Sequence, residues 1–478
     1  RNRFCKQLRK NVARILRDKL DLPDTASAPH DPDAAEVEVS WDYLQVSLPQ
    51  SRAALAAEVE QVLGNTPGIW SYQKVEQQAL SSFEQILALV QSVYAGQLAG
   101  KSFVVRCKRS GKHPFSSVDI ERYLGGELLK NTLARAVSLK HPEIRVMLEI
   151  RDDKVFVGGK IVTGIGGFPI GTQESAISLI SGGFDSAVAT YLAMRRGLRT
   201  HFLFFNLGGR EHELAVKEVA WYLWSRFGMS HGVHFISVPF EAVVAEILEQ
   251  VENSQMGVVL KRMMLRAAGQ VADRLKVEAL VTGESIAQVS SQTLTNLAVI
   301  DEVTPRLVLR PLIMSDKQSI VDMARQIGTA EFSAQIPEYC GIISVRPTTR
   351  AKRHKVAHEE ARFNMQILDE AVAALVQLDI RRITEDQAHP LPEVPESDQI
   401  QPGEVVIDIR HPDEEERQPL RLGGVQVLRI PFYRLNAGFA ELDPAHRYLL
   451  YCSKGVMSRL HAVHLLEQGV DYVGVYRP

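Results

Sequence analysis

Ser181-Gly182-Gly183-Phe184-Asp185-Ser186 lies between an apolar run over residues 176–180 and a helix-forming stretch over residues 187–196. That order specifies a strand, a tight loop and a helix. Gly182 and Gly183 let backbone amides approach an anion closely, and the helix start adds unpaired N–H groups and the positive end of its dipole. Ser181 and Ser186 bring hydroxyl donors. The Gly-Lys-Ser/Thr ending of a Walker loop, whose lysine reaches the β- and γ-phosphates, is missing, so pyrophosphate is the anion this loop suits.

Outward from the loop the strand pattern repeats. Segments 201–205, 233–238, 279–282 and 307–312 are each apolar enough for a buried parallel strand, with helix-forming stretches between them. The expected fold class is multidomain α/β, with a doubly wound parallel sheet here. Ligands of such sheets bind beyond the carboxyl ends of the strands, where Asp185, Asn206, Gly283 and the loop over 311–317 would converge. The strand-SGGxDS-helix order resembles the PP-loop ATP pyrophosphatases, which adenylate a carbonyl oxygen and release pyrophosphate.

The 478 residues, 45% of them hydrophobic, suffice for about three or four domains with real cores. Nothing approaches the ~18 consecutive apolar residues of a membrane span, and the basic start over 1–17 lacks the apolar centre of a signal peptide. No membrane partner and a cytoplasmic location are expected. The four cysteines, Cys5, Cys107, Cys340 and Cys452, have no zinc or iron–sulfur spacing and form no disulfide framework, so no resident metal centre is expected. A net charge of −2 excludes nucleic-acid binding by bulk charge and leaves only a local patch for it.

On the amino side, Phe4, Leu8, Val12, Ile15 and Leu16 recur at helical spacing, and a strand pattern follows at Val37, Val39, Trp41 and 43–48. The chain starts at Arg1 without Met, so a preceding strand is expected to be missing. Helices are predicted over 53–63, 81–94 and 117–136, with strands near 69–72, 102–107, 144–150 and 154–161. Between strand and helix lie Arg106, Lys108, Arg109 and Lys112 without an acid. That density suits a phosphate backbone, and a solvated turn explains it equally well. Cys107, ending an apolar strand, reads as core. Residues 164–171 read as the joint to the sheet domain.

On the carboxyl side the pattern predicts a long helix over 352–378, a linker through Pro390, Pro392 and Pro395, then strands near 405–409, 425–430, 448–451 and 472–475. Cys452 follows one of these strands and opens a loop before a helix predicted over 460–467. A cysteine at a helix start near Lys454 and Arg459 should have a stabilised thiolate; the alternative is a buried structural cysteine. The loop resembles the active loop of rhodaneses, which carry sulfur as a persulfide, and Asp408-Ile409-Arg410 matches the Asp-x-Arg common in that family.

Together these parts resemble the tRNA 4-thiouridine synthetases, the ThiI family, in the long form with a rhodanese-like tail. Phe204-Phe205-Asn206-Leu207-Gly208-Gly209, Pro337-Glu338-Tyr339-Cys340-Gly341 and the segments 257–266, 283–297 and 452–460 carry the resemblance. It implies a ferredoxin-like domain over 1–50, truncated at its start, and a THUMP RNA-binding domain over 57–161. It further implies a PP-loop adenylation domain over 172–383, a linker over 384–399 and a rhodanese-like domain over 400–478.

The implied reaction replaces O4 of uridine 8 of tRNA with sulfur after adenylation by ATP with Mg²⁺. The family places ATP against Leu179, Ile180, Ser181, Gly182, Gly183, Ser186, Phe204, Phe205, Lys261, Gly283 and Gln292, with Asp185 and Lys317 at the phosphates. Lysines there would neutralise charge on the phosphates, and Asp185 would hold Mg²⁺ or orient a phosphate. Sulfur would come from a cysteine desulfurase as a Cys452 persulfide, and Cys340 would resolve it into a Cys340–Cys452 disulfide that a reductant reopens. Direct attack by the persulfide and attack by released hydrosulfide both stay open. A second basic run over 346–355 would hold tRNA or is a solvated helix start. A thiamine sulfur-carrier protein is a further implied partner, and a homodimer stays open. Competing readings are sulfur supply mainly for the thiamine thiazole, a tRNA-binding module with a vestigial ATP site, and an amide-forming PP-loop ligase.

Overall fold

The computed structural model describes residues 2–40, 43–207, 209–334, 336, 347–383, 393–410, 415–416, 418–431, 435, 439, 441–453 and 455–478. The chain divides into two units, Val12–Gly167, and Arg1–Asn11 with Phe168–Pro478. Helix α1 (Asn2–Leu20) spans the division and buries Val12, Ile15 and Leu16, as its helical spacing predicts.

In the first unit, β1 (Glu36–Val39) and β2 (Leu44–Ser47) pair antiparallel, so the strand pattern over 37–48 is a hairpin. Trp41 lies outside the described residues. There follow α2 (Ala56–Asn65), β3 (Ser71–Tyr72), β4 (Val75–Ala79), α3 (Phe83–Leu98), β5 (Ser102–Ser110), α4 (Ser117–Asn131), β6 (Ala136–Val137), β7 (Ile144–Arg151), β8 (Lys154–Gly158) and β9 (Val162–Thr163). Five strands make one sheet in the order β4-β8-β7-β5-β6. Ile86 and Val90 of α3 and Ile120, Leu124 and Leu128 of α4 bury against its Phe103, Val105 and Val146. Ser116 and Asp119 close a reciprocal capping box that starts α4.

One expectation changes here. β5 runs on to Ser110, pairing in parallel with β7 residue by residue from Phe103 to Ser110. Lys108 and Arg109 therefore sit with Arg106 on the strand rather than in the loop expected after it. Lys154–Gly158 also pairs with β4, whose Val-Glu-Gln-Gln-Ala carries too little apolar character to read as a strand.

The second unit holds β10 (Ser175–Leu179), α5 (Phe184–Arg195), β11 (Arg199–Asn206), α6 (Gly209–Leu223), β12 (His234–Pro239), α7 (Glu241–Gln250), α8 (Met256–Leu275) and β13 (Ala279–Val281). It continues with α9 (Leu294–Asp301), β14 (Leu307–Leu309), α10 (Lys317–Ile327), α11 (Ala330–Ser333), α12 (Arg353–Arg362), α13 (Met365–Ala373) and β15 (Val376–Asp379). The sheet order is β14-β13-β10-β11-β12-β15, with every pair parallel except β12 and β15. This is the doubly wound sheet the sequence predicts. The long helix expected over 352–378 is instead two helices and a strand. Asn364 caps α13 by accepting the Gln366 N–H at 3.1 Å, and β15 then covers the open edge of β12. Arg262 of α8 pairs with both Glu360 oxygens at 2.6 and 2.9 Å, tying α12 to the core.

A further parallel sheet, β16-β20-β19-β17-β18, is built from β16 (Glu396–Ser397), β17 (Glu404–Asp408), β18 (Val427–Arg429), β19 (Arg447–Tyr451) and β20 (Val473–Tyr476). Helix α14 (Val456–Glu467) joins β19 to β20 and is longer than the 460–467 expected. Its strand pairing begins at Glu396, and residues 384–392 of the expected linker lie outside the described residues. Among the described residues no helix is long and apolar enough to cross a membrane.

β11 carries a test of this packing. Burial holds the His201 imidazole down at about 4, helped by Arg199 and by His234, whose ring stacks 5.3 Å away. The unfolded chain takes up that proton below about pH 6.5, so it binds more protons than the folded state between those values. Stability is then full above pH 6.5 and falls as pH drops towards 4, by at most about 3 kcal/mol. His201→Asn should flatten this dependence, and amide hydrogen exchange across β11 at pH 5 and pH 7 reads it.

Candidate active site

β10 stands between β11 and β13, where the strand order reverses, so the loops after β10 and β13 open onto one crevice. Gly182 adopts φ +82°, and a Cβ there would lie 2.5 Å from Ile336 Cδ1 and 3.1 Å from Val216. Only glycine fits that turn. Ser186 Oγ accepts the Ser181 N–H at 3.2 Å and donates to the Gly183 carbonyl at 3.1 Å, which clasps the loop. Gly183 caps α5 with no side-chain bond, leaving the first-turn amides to an anion. Gly283, after β13, comes so near that a Cβ would sit 2.6 Å from the Asp185 carbonyl carbon.

Asp185 is held from two sides. Lys317 Nζ reaches its two oxygens at 3.0 and 3.1 Å, and Gln288 Nε2 donates to Oδ2 at 2.7 Å. Lys317 starts α10 just after its cap Asp316, whose carboxylate takes the Ser319 N–H. Lys261, expected at ATP, stands 3.7 Å from Glu284, which also takes Arg310 Nε at 2.8 Å and the Thr282 hydroxyl at 3.0 Å. Burial pushes the Glu284 carboxyl up, but Lys261 and Arg310 together pull it below the ordinary range.

The remaining expected nucleotide residues divide into two kinds. Ile180, Phe204 and Phe205 bury their side chains in the core, Phe204 edge-on to His212 and Phe205 against Phe240, so those side chains do not face a ligand. Leu179 ends β10 half-buried. Gln292 is buried, and its Oε1 has no hydrogen-bond partner among the described residues, as is true of Gln288 Oε1. Buried acceptors left open beside an anion loop fit a nucleotide's donors. Sequence reasoning missed Gln288, Glu284, Arg310 and His212. His212 Nε2 lies 3.4 Å from the Ser181 carbonyl, and burial holds its imidazole below the ordinary value. Polar spacing in Thr282-Gly283-Glu284-Ser285 and Ala287-Gln288 was the available signal.

The basic residues of the first unit do not act as one cluster. Arg106 and Lys108 share a face of β5 by strand alternation and border a hollow of about 430 Å³ with Arg145, Leu139 and Met147. Acids do meet them, contrary to the sequence reading: Glu121 stands 3.4 Å from Arg106 and Glu149 3.9 Å from Lys108. Arg109 turns elsewhere, 2.9 Å from His113 and over Phe115. Lys112 is exposed in the turn beyond. Burial, with Glu121 nearby, pushes the Cys107 thiol up to about 11, which makes it core rather than chemistry.

Cys452 follows β19 and lies before α14. Its Sγ accepts the Ser458 N–H at 3.4 Å and stands 3.2 Å from Ser458 Oγ, and the residue is 8% exposed. Arg459 reaches Glu396 at 3.5 Å rather than the sulfur, and Lys454 lies outside the described residues. Asp408 and Arg410 form a buried pair at 2.6 Å, with the guanidinium 5.1 Å from the Tyr451 ring, so they brace the strand that presents Cys452. Cys340 and the segment 337–341 lie outside the described residues, as does Arg346 of the second basic run. In that run Arg353 pairs with Glu302.

A clasped anion loop at the switch point of a doubly wound sheet defines a PP-loop protein, here following a separate α+β unit. The ThiI profile, described as a thiamine biosynthesis protein, matches residues 171–365, and the THUMP domain profile matches residues 81–158. The tRNA sulfurtransferase of Pseudomonas aeruginosa (strain UCBPP-PA14) is 53% identical over 478 residues, covering 100% of this chain and 96% of the relative. That of Azotobacter vinelandii is 52% identical with the same coverage. A solved 4-thiouridine synthetase in complex with RNA and ATP aligns with TM-score 0.68 and 25% identity, over 79% of this chain and 95% of that one. The chain belongs to the tRNA sulfurtransferase family.

Proposed function

We propose that the chain catalyses ATP-dependent transfer of persulfide sulfur to uridine 8 of tRNA, giving 4-thiouridine. The observation that carries this reading is the loop 181–186, with Asp185 held by Lys317 and Gln288, in a chain that presents Cys452 at the start of a helix. The THUMP match and the Arg106–Lys108 hollow support tRNA as the substrate.

O4 is a poor leaving group, so adenylation comes first. The α5 amides and the Ser181 hydroxyl grip the pyrophosphate, the Ser186 hydroxyl, expected as a further donor, being spent on the Gly183 carbonyl, while Lys317 moves its charge from Asp185 to the phosphates as these arrive. Asp185, beside the anion loop, is the carboxylate that would help hold a Mg²⁺ ion arriving with the nucleotide, and the ion would supply charge neutralisation there.

A cysteine desulfurase loads Cys452, and the persulfide's terminal sulfur attacks C4 as AMP leaves with O4. Cys340 then attacks the Cys452 sulfur, which forms the Cys340–Cys452 disulfide, releases the thiolated base and leaves two electrons for a reductant to restore. Ile336 supports Cys340 in this role. It lies against Gly182, and the four residues from it to Cys340 extend about 14 Å at most. The domain limits expected from the sequence, with a rhodanese-like domain at the carboxyl end, belong to the same reading.

The thiamine description of the matching profile favours a second role, sulfur delivery to a thiamine sulfur-carrier protein, which needs Cys452 but not the basic hollow. The deciding measurement is near-ultraviolet absorbance of 4-thiouridine in unmodified tRNA incubated with the protein, Mg-ATP, cysteine, a desulfurase and reductant. Signal that requires ATP is expected. Its absence from a folded protein that still passes sulfur to a carrier would leave the second role alone.

A further inference from the structure

Delivery from Cys452 requires its domain to meet the adenylation domain. Two helices supply a meeting place. α14 starts four residues after Cys452, and it packs on α6. Between them His461 Nε2 stands 2.9 Å from Glu218 Oε1, with the side chains only 3% and 13% exposed. The two atoms are in close contact without the alignment of a hydrogen bond.

Burying a carboxylate costs several kcal/mol unless a cation or donor meets it. Here the carboxylate belongs to one domain and the imidazole to the other. α6 also backs the anion loop, since His212 lies 3.4 Å from the Ser181 carbonyl and Val216 closes on Gly182. Thus the helix that carries Glu218 supports the loop, and the helix that carries His461 begins beside the cysteine.

We propose that Glu218 and His461 form the seat on which the sulfur-carrying domain docks onto the adenylation domain. They are positioning residues, acting on delivery through the placement of Cys452, and the inference rests on Cys452 being the carrier. Docking raises the effective concentration of the carrier at its target beyond what the tether alone provides. Loss of the seat therefore slows delivery and leaves both partial reactions alone.

The test uses the full chain. Glu218→Lys removes the carboxylate that His461 meets, His461→Glu sets two carboxylates in contact, and the double variant places opposite charges there. Three rates are read: loading of Cys452 by a desulfurase, tRNA-dependent ATP consumption, and single-turnover passage of labelled sulfur from preloaded Cys452 to tRNA. Each single variant should slow passage about tenfold, with the other two rates within about twofold, and the double variant should recover most of the loss. Separately, Glu218→Cys with His461→Cys should be joined by a short bis-maleimide linker in the folded chain. Passage at the parent rate in both single variants overturns the seat, and so does a folded double-cysteine chain that the linker fails to join. A parent chain that never loads Cys452 overturns the carrier reading instead, while the cross-link still tests the docking.

Discussion

Replacing Cys452 by alanine should abolish tRNA thiolation with a desulfurase as donor, by a factor of about a thousand or more, while tRNA-dependent ATP consumption continues. In the proposed reaction the Cys452 sulfur is the nucleophile, and among the described residues no neighbour can stand in for it. Ser458 touches it with N–H and hydroxyl, and a hydroxyl does not carry sulfane sulfur. Cys107 is no substitute, since burial holds its thiol at about 11 and leaves only about one molecule in a thousand as thiolate at pH 8. Adenylation should survive because the anion loop, Asp185 and Lys317 belong to another sheet. Parallel assays of thiouridine and AMP formation check it. Loss of both activities would mean that the cysteine supports the adenylating site.

Asp185→Ala should give the opposite pattern. The carboxylate is the point where Lys317 and Gln288 converge and where Gly283 brings the β13 loop against α5. Removing it leaves Lys317 without its counter-charge and takes away a carboxylate placed to meet the nucleotide's phosphates and their Mg²⁺ in the proposed reaction. Loss of a preorganised electrostatic group of this kind typically costs 10²–10³ in rate, so adenylation should fall by about that factor. Loading of Cys452 by the desulfurase should be unchanged, and mass spectrometry of the persulfide reads it. Normal ATP turnover in the variant would remove Asp185 from the site.

The parts of the fold that were legible in the sequence are those governed by local pattern. The five parallel strands of the doubly wound sheet announce themselves as apolar runs, and the anion loop as two glycines between a strand and a helix. β15 was hidden because its Val-Gln-Leu-Asp continues a helical pattern, and only the open edge of β12 makes it a strand. β5 looked short because Lys108 and Arg109, with the glycine and lysine that follow, read as a loop; pairing with β7 overrides that composition. The acids that answer the basic run come from α4 and β7, a contact at sequence separations that no local reading reaches. In the site, Asp185 and Lys317 were legible and do meet. Gln288 and Arg310 were not, since their roles depend on what the fold brings to them.

The antiparallel direction of β15 has a consequence for how sulfur travels. Its last residue, Asp379, lies beside His234, the first residue of β12, and Ile380 N–H bonds to the Val233 carbonyl at 3.0 Å. The chain thus leaves the adenylation domain at the floor of the sheet, while the anion loop opens at its roof. A strand of this length stands roughly 17–20 Å tall. From Ile383 to Glu396 the covalent tether has 13 residue steps, a reach of about 45 Å when fully drawn out. That exceeds twice the height of the sheet. In the proposed transfer the sulfur carrier is thus joined below the sheet and works above it.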